Sequence, residues 1–236
     1  MSASDIELSA DLSTTLFYVG DEKTCVIVCD NVLKDLGVVR DTASSAVKFE
    51  DESSTAYPGK RAEIPDAYAE KVFPLVVSLI RDNYALPKAT RGHMNAGYLS
   101  VVTTAPEELS IPQRLPHYDS IQPYFFATTH YINEGDFGGT SFYKHRPTGF
   151  EKINADRTDR LVQSAQAFLQ QSPPRPEYFD ESDDHFQRIG TVDYKPNRLL
   201  IYPGALFHSG IIHSPENLNT DPLEGRLTAN LFIDFR

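Results

Sequence analysis

The stretch His117-Tyr118-Asp119 limits what this chain can become more than any other. In an extended segment, side chains at i and i+2 point to one face, so an imidazole and a carboxylate stand side by side. Such a pair is half of a metal site. His208, within Tyr202-Pro203-Gly204-Ala205-Leu206-Phe207-His208, is the candidate third ligand and lies 89 residues beyond Asp119 (208 − 119). Only a sheet folding back on itself can unite residues so far apart. A set of two histidines and one carboxylate favours iron(II) and leaves coordination positions open.

Arg226 and Thr228 follow in Gly225-Arg226-Leu227-Thr228-Ala229-Asn230-Leu231-Phe232, an otherwise apolar strand pattern. Alternation puts both on one face. An inward arginine needs an anionic partner, because an unpaired buried charge is very costly. A planar guanidinium suits a carboxylate held by two bonds. A di-acid that chelates iron at one end would therefore meet Arg226 at the other.

The surrounding pattern is β-rich. Strands are expected at 16–19, 25–29, 98–104, 124–132, 138–143, 187–194, 198–202, 206–212 and 227–235, from β-branched and aromatic runs between turn residues. Helices are expected from Asp30-Asn31 through Val39, after Pro65 with Pro74 as a kink or break, and over Ala155 to Gln171 ahead of Pro173-Pro174. Residues 1–14 read as a loose tail and 44–60 as loop. Helices gathered at the N-terminus and strands at the C-terminus predict a mainly β fold, a jelly-roll backed by helices. The whole of 1–236 reads as a single domain, with 1–93 as supporting strands and helices and 94–236 as the core. The segment 145–188 interrupts the strand rhythm and is expected to be an insertion able to cover a site.

Charge narrows the partners. A formal net charge of −11 works against nucleic acid, whose phosphates want clustered Lys and Arg, and against an anionic membrane surface. No run approaches the ~20 apolar residues of a membrane-spanning helix, and Met1 to Thr15 lacks the basic start and apolar core of a secretory signal. Cys25 and Cys29 in one strand would lie ~13 Å apart, beyond the ~4.4–6.8 Å of a disulfide. Two reduced thiols fit a cytoplasmic protein. The oligomeric state is not set by the sequence.

In order along the chain stand His117-Tyr118-Asp119, then His130-Tyr131-Ile132-Asn133 leading into Gly138-Gly139-Thr140-Ser141-Phe142, then His208, then Arg226-Leu227-Thr228. With these, the sequence resembles the 2-oxoglutarate- and iron(II)-dependent oxygenases, most closely their prolyl-hydroxylase-like branch, and an uncharacterised bacterial group of small oxygenase-like proteins. The resemblance covers roughly residues 94–236. It implies a double-stranded β-helix in which His117, Asp119 and His208 bind iron(II), while Arg226 holds the distal carboxylate of 2-oxoglutarate. Thr228 and Tyr131 match positions that assist that carboxylate. It also implies consumption of O2 and release of succinate and CO2. The presence of Asp119 favours hydroxylation or desaturation over halogenation, since relatives that halogenate generally lack the carboxylate. The expected substrate is a small amino-acid-like molecule, a peptide or a protein side chain. Two other classes stand beside this one: a cupin-type metal enzyme without 2-oxoglutarate, and a non-catalytic binding domain. His93, His145 and His185, in polar contexts, are expected to face solvent. His130 should face away from Tyr131, and His213 away from His208.

Overall fold

The computed structural model describes residues 6–45, 47–51, 56–213 and 217–236. Eleven strands among these alternate along the chain with three helices: β1 Ser13–Val19, β2 Thr24–Asp30, α1 Gly37–Ser45, β3 Glu50–Asp51, β4 Gly59–Glu63, α2 Asp66–Asn83, β5 Gly92–Val102, β6 Phe125–Tyr131, β7 Thr140–His145, α3 Ala155–Gln171, β8 Phe186–Val192, β9 Leu199–Pro203, β10 His208–Gly210 and β11 Leu227–Phe235.

They form two antiparallel sheets, ordered β1-β2-β9-β6-β11-β5-β4-β3 and β10-β7-β8. From β6 onward the chain crosses between them: β6 in the large sheet, β7 and β8 in the small one, β9 in the large, β10 in the small and β11 back in the large. His117 bridges to His208 and so stands beside β10 at the edge of the small sheet. This is the double-stranded β-helix, a jelly-roll.

Alternation explains which faces are wet. Between the sheets lie Val19, Val26, Tyr131, Phe142, Leu200, Tyr202 and Leu206. The outer face of the large sheet packs Ile27, Leu99, Leu231 and Ile233 against Val39 of α1 and Val72, Val76 and Ile80 of α2. Each such aliphatic side chain stabilises the fold by about 1.5–3 kcal/mol when fully buried. A third cluster, Tyr143, Ile153, Leu161, Phe186 and Phe207, joins α3 to the small sheet.

Several expectations change. Residues 6–12 are not loose: Ile6 is buried and Leu8 bridges to Leu33. The first helix begins at Gly37, not after Asp30, because Asn31 has a positive φ of 55° and Val32 and Leu33 are tied to the chain at Asn197. Asp35 then accepts from the Gly37 amide to start the helix. The stretch 44–60 is not all loop, since Glu50–Asp51 and Gly59 onward extend the large sheet beyond β5. Pro74 does not split α2; it sits on the exposed side, where water can take the carbonyl it leaves free. His145 and His185 are buried against each other, 3.1 Å apart at Nε2, with Phe168 of α3 stacked on His185. Polar neighbours in sequence had hidden that cover.

Asp30 ties β2 to the β8–β9 connection, accepting from Arg198 at 2.6 and 3.0 Å and from Lys195 at 2.9 Å. The bonds from Arg198 hold its carboxyl down at about 2, against an ordinary 3.8. A carboxylate whose folded pKa is depressed adds stability in full above its ordinary value and loses it as pH falls toward the folded one. The carboxylate is only 22 % exposed, so the shift corresponds to about 2 kcal/mol. Urea melts should show Asp30→Asn destabilised by about that much near neutral pH. The gap should close between pH 4 and pH 2; a gap independent of pH would show that the ion pair is not its source.

Candidate metal centre

The small sheet and the turn before β10 build the site. The His117 amide donates to the His208 carbonyl at 2.9 Å and the His208 amide returns the bond at 2.8 Å, so the two residues face each other as an antiparallel pair. Their rings lie 4.4 Å apart. The Asp119 amide donates to Gly204 O at 2.7 Å, which fixes the carboxylate beside them. Tyr118, one residue out of phase, packs edge-on against Phe207 on the opposite face.

Donor atoms of His117, Asp119 and His208 all lie within 4.8 Å of one another. Asp119 splits its two oxygens between the histidines, 4.0 Å from His117 Nε2 and 3.6 Å from His208 Nε2. His208 Nδ1 is 2.8 Å from the carbonyl of Leu206, which can only accept. That leaves Nε2 as a lone pair aimed at the other donors, as a metal-binding histidine requires.

Electrostatics agree. Burial pushes His208 down to about 4, and burial together with the neighbouring His208 pushes His117 down to about 4. His117 keeps 52 % of its side chain open to the mouth, so the 6 % exposed His208 is the more firmly neutral of the two. Burial raises Asp119 to about 6, against the opposing pull of His117 and Arg61. A carboxylate in such a place calls for a cation beside it. The donor set fits a divalent metal.

The triad opens into a cavity of about 120 Å³. Arg226, 5 % exposed, lines the same cavity, with Nε donating to Gly138 O at 3.0 Å and a terminal nitrogen to Gly139 O at 3.2 Å. A Cβ on Gly139 would meet the Val192 carbonyl at 2.1 Å and one on Gly138 the Ile211 carbonyl at 2.2 Å, so the close backbone approach leaves no room for a side chain at either position. The guanidinium also lies 5.5 Å over Tyr131 and 6.0 Å over Tyr194. Among the described residues no carboxylate pairs with it. It lies near Gly210, two residues along β10 from His208, so about 7 Å of strand separates the levels of metal ligand and arginine.

Thr228 also lines the cavity, donating to Asn230 Oδ1 at 3.0 Å. Tyr131 does not: its hydroxyl is 2.8 Å from Thr140 Oγ1, and Thr140 forms the wall in front of it. The remaining wall contains residues that sequence spacing did not single out, including Tyr57, Arg61, Gln113, Tyr178, Tyr202 and Asn230. Tyr178 comes from the insertion and donates to Thr104 O at 2.7 Å, so the second half of 145–188 reaches the cavity while α3 stays outside. His130, as expected, points the other way, its Nδ1 2.8 Å from the buried Tyr68 hydroxyl. His93 and His213 are exposed.

A family model described as a family of unknown function, DUF6445, matches residues 10–233. The chain belongs to that family. None of the curated proteins matches this chain. Two solved structures are similar in outline. HygX from Streptomyces hygroscopicus, solved with nickel, 2-oxoglutarate and hygromycin B, is 13 % identical with a TM-score of 0.47, over 90 % of this chain and 84 % of its own. SnoN, a non-heme alpha-ketoglutarate-dependent epimerase from nogalamycin biosynthesis, is 11 % identical with a TM-score of 0.49, over 90 % and 79 %. At that distance the function of this DUF6445 member has to be read from its own residues.

Proposed function

We propose that this protein is an iron(II)- and 2-oxoglutarate-dependent dioxygenase of the prolyl-hydroxylase-like branch. It hydroxylates an unactivated C–H bond of a small amino-acid-like molecule, a peptide or a protein side chain. One observation carries the reading: three metal-donor atoms within 4.8 Å share a cavity with a buried arginine that has no carboxylate partner among the described residues. A cupin-type enzyme has no use for that arginine.

Iron(II), 2-oxoglutarate and O2 together supply the oxidant for the C–H bond, with succinate and CO2 as co-products. The chain's own residues hold and orient. His208, its Nδ1–H bound to Leu206, presents Nε2; Asp119 and His117 complete one face and leave the cavity side open. Arg226, fixed by the Gly138 and Gly139 carbonyls, offers its remaining donors to the distal carboxylate. Thr228 adds a hydroxyl. Tyr131, behind Thr140, supports the arginine from below its plane rather than by direct contact with the co-substrate.

Purified protein given iron(II), ascorbate and 2-oxoglutarate in air should form succinate, even without substrate at a low uncoupled rate. No succinate above a metal-free control, with candidate amino acids and peptides added, would remove the enzyme reading and leave a binding domain. Substrate should also raise protection from hydrogen exchange around Tyr178, whose segment closes one side of the cavity. Unchanged protection throughout 145–188 would make the insertion a structural addition only. No helix among the described residues is long and apolar enough to cross a membrane. Both cysteines are free, which suits a reducing compartment such as the cytoplasm.

A further inference from the structure

The cavity has a second guanidinium. Arg61 lies on β4, opposite Ser100 of β5, which in turn lies opposite Thr228 of β11. Directly paired residues share a face, so Arg61 points to the same side of the large sheet as Thr228. It lines the cavity together with His117 and Asp119, and its charge acts on both. Its guanidinium lies 4.3 Å over the Tyr57 ring and 4.8 Å over the Tyr98 ring. These ring contacts restrain the side chain, and a guanidinium's N–H donors lie in its own plane, around its edge.

Cations outnumber anions in the described wall. In a chain of net charge −11, the ionised side chains among the described lining residues are Arg61, Arg226 and Asp119. Asp119 belongs to the metal and Arg226 to the co-substrate in the reading above. Arg61 lines the cavity with the triad, and neither assignment uses it. Arg61 has a further interaction of its own, and its five N–H donors can serve more than one acceptor.

We propose that Arg61 binds a carboxylate of the substrate, so that the substrate is a small carboxylic acid held beside the metal ligands. The proposal rests on the oxygenase reading and adds the substrate's charge to it. A planar fork restrained by two neighbouring rings matches a carboxylate; a phosphate would call for further cations, and the described wall has none besides Arg226. Gln113 and Asn230 supply neutral polar contacts nearby, and Leu115, Ile212 and Phe232 supply apolar ones.

The test uses full-length protein loaded with cobalt(II) and 2-oxoglutarate without oxygen, read by the visible cobalt spectrum. The probes are the twenty amino acids and their C-terminal amides, which keep size and lose the anion. At least one acid should bind, and its amide should bind at least tenfold more weakly. Arg61→Gln should abolish that difference, and Arg61→Lys, which keeps the charge but not the fork, should restore part of it. Cobalt affinity should not fall in Arg61→Gln, because the removed charge opposed the cation, and 2-oxoglutarate affinity should stay within twofold. Should Arg61→Gln fail to fold, the comparison is read from Arg61→Lys alone, which should narrow the acid–amide difference at least threefold. Loaded wild-type protein that binds no acid, or binds acid and amide alike, overturns the proposal, as does an Arg61 variant that keeps the full preference. A tenfold loss of 2-oxoglutarate in Arg61→Gln would overturn it too, by assigning this arginine to the co-substrate. Wild-type protein that takes up neither cobalt nor 2-oxoglutarate is a separate result: it removes the oxygenase reading itself.

Discussion

Replacing His208 with alanine is expected to lower iron(II) affinity by more than about a hundredfold, since loss even of a group supporting a ligand costs 10–100-fold. The three donors are all that the described residues bring within metal reach of one another. His208 also fixes the site's geometry, paired through its backbone with His117 and ringed by Tyr202 at 4.8 Å. The backbone pair survives truncation to alanine, so the fold should persist; a thermal melt checks that. His93→Ala, at an exposed histidine, is the matched control and should leave affinity unchanged. Anaerobic titration calorimetry with iron(II) measures both. Undiminished binding by a folded His208→Ala would falsify the triad.

The second large effect is expected at Arg226. A charge-assisted hydrogen bond contributes about 1.5–3 kcal/mol, so Arg226→Lys, which keeps the charge but loses the fork, should bind 2-oxoglutarate roughly ten- to a hundredfold more weakly. Arg226→Ala should lose more, and it also leaves the Gly138 and Gly139 carbonyls without their donor. Lysine is therefore the cleaner probe. Metal affinity without 2-oxoglutarate should be unaffected in the lysine variant, because Arg226 is not among the ligands. If Arg226→Ala holds 2-oxoglutarate as tightly as the wild type, the anchor lies elsewhere in the cavity.

Local patterning carried much of this architecture. The strand now bounded as Leu227–Phe235 and the helix Ala155–Gln171 have the limits that their residues announce, the first by alternation and the second by the prolines beyond its end, while the Asn154 side chain, accepting from the Arg157 amide, caps its start. His117 and Asp119 share a face because any extended chain makes them do so. His208 could be nominated because a turn and a strand surround it, and Arg226 because an apolar strand rarely carries a buried charge without purpose.

What the sequence could not settle is what covers what. Val32 and Leu33 look helical by spacing, yet Asn197, more than 160 residues away, claims their backbone. His145 and His185 look solvated until α3 folds over them. Tyr131 lies beneath Thr140 rather than in the cavity, a matter of which side chain is nearer across the sheets. Arg61 and Tyr57 sit in a stretch that reads as loop and its polar border, and they enter the cavity wall only because β4 adds itself to the edge of β5. Sequence by itself determined which residue types could hold a metal, the arginine on an apolar strand and the β-rich alternation, since these follow from chemistry and from the strand's period of two. Which residues share the cavity was decided by tertiary pairing alone, because burial depends on partners that no local window contains.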